Sequence, residues 1–323
     1  MAIPRHADLW RPSMRLPALL VLSFALAAPA ASQSGDAPFT VAETGQSFAT
    51  LQDAVSAIGD GTGTIRIAPG RYRDCAVQEG GSVSFVSTEP GKAIFESAIC
   101  EGKATLVLRG ARSRVEGIVF RHNNVPDGNG AGIRIEKGNL DVVNAMFLDS
   151  QCGILSASDP SSAIRIVHST FSGLGKDPTG NGAHGVYIGD YGSLSIENSR
   201  FDRGTGGHYV KSRAPRVKIL DSSFDDSLGQ HTNYSIDLSN GATGRIAGNT
   251  FVVGPNKDNY STIITVAPEG RERSSTGLVV EGNTATVAPG FKNRTTLVGN
   301  WTNDTVMVRG NTLGEQVAAQ ASR

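Results

Sequence analysis

The feature that most constrains this 323-residue chain is a phrase repeated every 23 to 34 residues over most of its length. An apolar pair spaced by two is followed, five residues after its second member, by Phe or a smaller apolar substitute. It reads Leu140-x-Val142…Phe147, Ile164-x-Ile166…Phe171, Leu194-x-Ile196…Phe201 and Val217-x-Ile219…Phe224. It continues through Ile246…Phe251, Leu278-x-Val280…Ala285 and Val306-x-Val308…Leu313, and Val115…Phe120 is an earlier, looser copy. Short apolar strands recurring at a fixed period, with Gly, Asn and Asp turns between them, specify a stacked solenoid. The closing Phe of each repeat is expected to form an internal ladder. Asn198, Asn249, Asn283 and Asn311 lie just before it as turn-forming amides.

A chain of this length can hold two domains, but one repeat running through it argues for a single elongated domain. With 39 Gly and only 6% aromatic residues, many short strands and tight turns are favoured over long helices. The formal net charge is zero, so no global field marks a nucleic-acid binder, and electrostatic recognition must be local. Residues 1–30 read as a secretory signal peptide: Arg5, Arg11 and Arg15 precede an apolar stretch, and Ala28-Pro29-Ala30 offers a cleavage site. That stretch is too short to span a bilayer comfortably. A secreted or periplasmic protein is therefore expected, with no membrane contact beyond the signal peptide. Export permits disulfides. Cys75 and Cys100, about one repeat apart, are either a disulfide candidate or two buried thiols, and Cys152 reads as a core residue.

Near the start, Phe48, Leu51, Ala54, Val55 and Ile58 fall at helical spacing before Gly59 and Gly61, and Thr64-Ile65-Arg66-Ile67 alternates as a strand. This helix followed by strand and turn resembles the entry cap of pectin-lyase-like and pectinesterase-like right-handed parallel β-helix proteins. The resemblance implies an all-β right-handed parallel β-helix solenoid with a short N-terminal capping helix. The lead-in and cap would occupy 31–62, the β-helix 63–313, and a disordered tail 314–323.

A second strand of each coil aligns by counting back from the ladder. The segments are Ala131-Gly132-Ile133-Arg134-Ile135, Cys152-Gly153-Ile154-Leu155, His184-Gly185-Val186-Tyr187-Ile188, His208-Tyr209-Val210-Lys211-Ser212-Arg213 and Tyr234-Ser235-Ile236-Asp237-Leu238. If Val186, Val210 and Ile236 point inward, alternation sends Tyr187, Lys211 and Asp237 outward, one above another. Arg134 occupies the same column, with Tyr209 and Arg213 flanking Lys211. The polar loops 123–130, 175–183 and 225–233 are placed to wall a groove over this column.

Phenol, ammonium, guanidinium and carboxylate groups in one ladder suit β-elimination on a uronate polysaccharide. That reaction needs a cation on the carboxylate, a base for the adjacent C–H and an acid for the leaving oxygen. Resemblance to the polysaccharide lyases of this fold implies Lys211 as base, Arg213 or Arg134 on the carboxylate, and Tyr187 or Tyr209 as proton donor. Asp237 joins them in binding substrate. His208 and His184 are candidates at the groove edge, although their parity matches the inward valines and predicts a buried or turn-lining position. An acidic polysaccharide is the expected partner, and the oligomeric state is not legible. No carboxylate cluster for calcium, no pectinesterase Asp pair and no zinc spacing is found, so no metal and no cofactor are expected. Three readings stay open on this groove: a polysaccharide lyase, an epimerase or glycoside hydrolase, and a non-catalytic carbohydrate-binding or cell-surface module.

Overall fold

A computed structural model of the chain describes residues 37–180 and 182–323. The signal peptide read at 1–30 lies outside the described residues. Each coil makes three short strands: Asn139–Val143, Met146–Leu148 and Cys152–Ser156 are followed by Asp159–Val167, which lies beside the first of them. Stacking gives three long sheets, two of ten strands and one of twelve. All strands are parallel apart from Phe39–Val41 and Ser47–Phe48, which pair antiparallel at the N-terminal edge of the first sheet. The architecture is an all-β parallel β-solenoid with very little helix.

The corners explain why short strands, most of three to six residues, suffice. Asn144, His168, Asn198 and Asp221 hold left-handed backbone at φ of 48° to 50°, each between a first-sheet strand and a second-sheet strand. Short polar side chains tolerate that conformation best, so the chain turns there without a long loop. Inside, Phe95, Phe120, Phe147, Phe171, Phe201, Phe224 and Phe251 stack with ring centroids 4.7 to 6.1 Å apart. The expected ladder is present. Burying each ring contributes roughly 1.5–3 kcal/mol before conformational entropy is subtracted.

A polar ladder runs beside the aromatic one. Asn249 Nδ2 donates to Asn283 Oδ1 at 3.0 Å and Asn283 Nδ2 to Asn311 Oδ1 at 2.9 Å, while Ser169, Ser199 and Ser222 continue the column through backbone N–H bonds. Asn198 belongs to the corner position, one residue earlier.

At the start, the helix Leu51–Ile58 is capped by Thr50, whose hydroxyl accepts from Asp53 N at 3.1 Å. Leu51, Ala54 and Val55 are buried against the neighbouring strands. Gln52 satisfies both backbone groups of Val77 on the strand Ala76–Gln78, accepting from its N at 2.8 Å and donating to its O at 3.1 Å. Cys75 and Cys100 are joined in a disulfide, with Cα atoms 5.6 Å apart.

The tail expected to be disordered instead forms a strand, Val317–Ser322, parallel to Thr295–Asn300. Its small, polar side chains carry little apolar signal. Backbone ladder bonds to the preceding coil order it, and composition does not report those. Cys152 is a buried core residue, as expected. It lies in a second, smaller apolar cluster with Ala131, Leu155 and Ala183, apart from the Phe ladder.

Candidate functional site

The third sheet carries the column of interest. Successive registers align Arg134 with Leu155, Leu155 with Tyr187, Tyr187 with Lys211, Lys211 with Asp237 and Asp237 with Thr265. The predicted stacking of Tyr187, Lys211 and Asp237 on consecutive coils is therefore present. Ile154, Val186, Val210 and Ile236 stand one position earlier and are buried in the core.

Alternation fails one residue before those core positions. A Cβ added to Gly132 or Gly153 would lie 2.7 Å or 2.8 Å from the ring of Phe147 or Phe171, so these bare positions face the ladder. The next coils place Gly185 and then Tyr209 in that inward slot. Tyr209 is consequently a core residue, 5% exposed, and not a groove residue. Its hydroxyl donates to Asp226 Oδ1 at 2.6 Å and accepts from Gly204 N at 3.1 Å. Burial, then the Asp226 charge, pushes its phenol far above the usual tyrosine range. The expectation that Tyr209 flanks Lys211 on the outer face is corrected. Its long side chain, in a slot glycine fills on other coils, reaches past the ladder to a carboxylate.

His184 and His208, one residue earlier, are turned to the outer side, against the parity argument, with His208 buried as expected and His184 half-buried. Their rings stack at 4.9 Å, His208 stacks on Tyr234 at 5.4 Å, and His184 meets Tyr187 edge-on at 5.4 Å. His184 Nδ1 accepts from His208 N at 3.0 Å, and His208 Nε2 lies 3.4 Å from Asp237 Oδ2. Burial, reinforced by the Lys211 charge, lowers the His208 imidazole to about 3. Burial, His208 and Lys211 hold His184 well below the usual histidine range. Both rings are neutral near pH 7.

Lys211 and Asp237 are outward in register yet shut from solvent, with side chains 8% and 2% exposed. Asp237 Oδ2 accepts from Lys211 Nζ at 3.2 Å and Ser239 Oγ at 3.1 Å, and Oδ1 accepts from Thr265 Oγ1 at 3.0 Å. The cover is a strap of residues 267–275, which follows the strand Thr262–Val266 and reaches back across earlier coils. Its Glu269 carboxylate accepts from both Lys211 Nζ and Arg213 Nη2. Arg273 donates to Arg213 O at 2.8 Å and to Asp190 Oδ1 at 2.5 Å. Sequence reasoning missed Glu269 and Arg273, because the run Pro268-Glu269-Gly270-Arg271-Glu272-Arg273 reads as an ordinary solvated turn. Burial works against the Glu269 charge, and the hydrogen bonds from Lys211 and Arg213 outweigh it, holding its carboxyl below the usual range.

Beyond the strap, toward the N-terminus, the outer face opens into a groove of about 560 Å³. Arg134, Leu155, Tyr187 and Arg213 lie along it, with Lys103, Asp127, Asn129 and Ser158 at its sides. Arg213 Nε donates to Tyr187 Oη at 3.1 Å, and its Nη1 donates to Asn240. Arg134 Nε is 3.5 Å from Glu136. Of the three expected wall loops, 123–130 supplies Asp127 and Asn129. From the second expected loop, Asp177 packs beside it against Gly128. Loop 225–233 turns inward: Asp226 accepts from Thr232 Oγ1 at 2.9 Å and Lys257 Nζ at 3.0 Å.

Six of the eight predicted catalytic and binding residues thus cluster in two groups. Arg134, Tyr187 and Arg213 reach the groove, and Lys211, Asp237 and His208 lie under the strap. His184 joins the two groups through Tyr187, and Tyr209 belongs to the core. No protein-family model matches the chain, and no curated protein matches it. Among solved structures, the Streptococcus pneumoniae surface protein and adhesin PfbA is similar in fold, with a TM-score of 0.51 over 84% of this chain and 94% of that one. At 13% identity that likeness establishes a shared parallel β-helix architecture.

Proposed function

We propose that this is an exported protein whose third-sheet groove binds an acidic saccharide without turning it over. The observation that carries this reading is the split between the two groups of side chains. Two guanidinium groups and a phenol on different coils line an open groove over the apolar Leu155, a surface that suits a carboxylate-bearing sugar ring. The ammonium that elimination would need as a base lies beneath the strap, engaged by two carboxylates. The structural neighbour is a surface protein and adhesin, which is compatible with a binding role. Within this reading residues 1–30 direct export, the coils wind right-handed as parallel crossovers do, and the helix Leu51–Ile58 covers the first coil.

A second reading keeps β-elimination in the groove. It is supported by the 3.1 Å contact between Arg213 Nε and Tyr187 Oη, which places a phenol beside a carboxylate-binding cation. Calorimetric titration with oligogalacturonate and other charged glycans, alongside ultraviolet absorbance for unsaturated uronate, separates the two. Binding without new absorbance is expected. Arg213→Ala and Arg134→Ala should each weaken that binding by about tenfold or more, as loss of a charge-assisted bond predicts. Rising absorbance would favour elimination, and no binding to any acidic glycan would sink both readings.

A further inference from the structure

The strap places a carboxylate where the groove's strongest cationic site would otherwise receive one from a ligand. Glu269 spans Lys211 and Arg213 with its two oxygens, and Arg213 is at once a groove residue and a partner of Tyr187. The two carboxylates around Lys211 differ in how they are held. Asp237 is 2% exposed, hydrogen-bonded by Lys211, Ser239 and Thr265, with His208 beside it. Glu269 is 42% exposed and takes side-chain hydrogen bonds from Lys211 and Arg213. With Glu269 in place, two cations face two carboxylates. Without it the site keeps one uncompensated positive charge, partly desolvated, at the end of the groove.

We infer that Glu269 is an internal occupant of a carboxylate-binding site formed by Lys211 and Arg213, and that the carboxylate of an incoming uronate displaces it. The exchange is a side-chain swing. The strap backbone stays anchored, with Glu269 N and Gly270 N both donating to Ser239 O at 3.1 Å and Arg273 N to Asn240 O at 3.1 Å. One carboxylate replaces another, so the buried Lys211 charge is compensated throughout, and no proton transfer is required. Glu269 then acts as a threshold: ligands without a carboxylate cannot compete for the site, and the apparent affinity of acidic ones is reduced by the fraction of time Glu269 occupies it. The ligand class rests on the groove reading above.

The test titrates wild type, Glu269→Ala and Glu269→Gln with free glucuronate and with oligogalacturonate, and compares their melting temperatures. The expected result is that Glu269→Ala binds both ligands about tenfold more tightly than wild type, Glu269→Gln gains less, and Glu269→Ala/Arg213→Ala loses the gain. Unchanged or weaker affinity for both ligands in folded Glu269→Ala overturns the inference. Wild-type oligogalacturonate binding that Arg134→Ala abolishes and Glu269→Ala leaves unaltered also overturns it, while the groove reading survives. Tighter glucuronate binding in Glu269→Ala, with no oligogalacturonate binding by any variant, supports the inference and removes the groove reading. Should Glu269→Ala fail to fold, the near-isosteric Glu269→Gln decides by the same criteria.

Discussion

Lys211 is where the chemistry of single residues departs most from strand alternation. An outward lysine on a strand is ordinarily solvated, and replacing it costs little. Here its side chain is 8% exposed and bound to an equally sheltered aspartate. Removing one partner of such a pair strands the other charge, so Lys211→Ala should destabilise the fold by roughly 3–5 kcal/mol. Lys211→Met/Asp237→Leu should recover much of the loss, because it removes both charges. Urea midpoints of wild type and the two variants check this, and a Lys211→Ala protein as stable as wild type would contradict the buried pair.

The histidines make a second residue-scale prediction. Both have pKa values below those of the unfolded chain, so the unfolded state takes up protons first on acidification. Their neutral, stacked form contributes fully above about pH 6.5, and that contribution is lost as pH falls, for His208 toward about 3. The slope is at most about 1.4 kcal/mol per pH unit for each ring. Melting temperature measured from pH 7 to pH 4 should fall more steeply for wild type than for His208→Gln. Equal slopes would show that His208 titrates normally.

At the scale of elements, the rungs are held by neighbours rather than by their own length. Phe171 is fully buried between Phe147 and Phe201, with centroids 4.7 and 4.8 Å away. Phe171→Ala should cost roughly 3–5 kcal/mol, because the adjacent coils cannot collapse into the gap without breaking the sheet register. The midpoint of denaturant unfolding measures it. A loss below about 1 kcal/mol would mean that the ladder relaxes. The same dependence on neighbours explains what was legible at this scale. The repeat marks the first-sheet strand and the ladder Phe together, since each lies inside one coil. The left-handed corners at Asn144, Asn198 and Asp221 appear in sequence as turn residues, but His168 gives no such sign. The strand Val317–Ser322 was unreadable, because what orders it is a ladder to the strand Thr295–Asn300.

For the solenoid as a whole, strands pair between adjacent coils, with the strap 267–275 reaching further back to Lys211, Arg213 and Asp190, so local stability should be highest at the middle and lowest at the ends. Hydrogen exchange is expected to be slower for Val210–Ser212, flanked by strands on both sides, than for Val317–Ser322, which pairs on one side. Uniform protection along the stack would show that it unfolds as one unit.

What the amino-acid order determined alone is everything that repeats within one coil: the period, the Phe ladder, the polar column and the register that sets Tyr187, Lys211 and Asp237 in line. These follow from alternation and turn chemistry over a few residues. What only the tertiary structure decided is which of those outward groups meets solvent. Glu269 lies 58 residues from Lys211 and Arg273 lies 83 from Asp190, and no local pattern announces that a later turn folds back across earlier coils. The inward slot of Tyr209 depends likewise on the stacked coils, where Gly132 and Gly153 stay bare against the Phe rings. Burial is a property of neighbours distant in the chain, and it is burial that separates the groove residues from those under the strap.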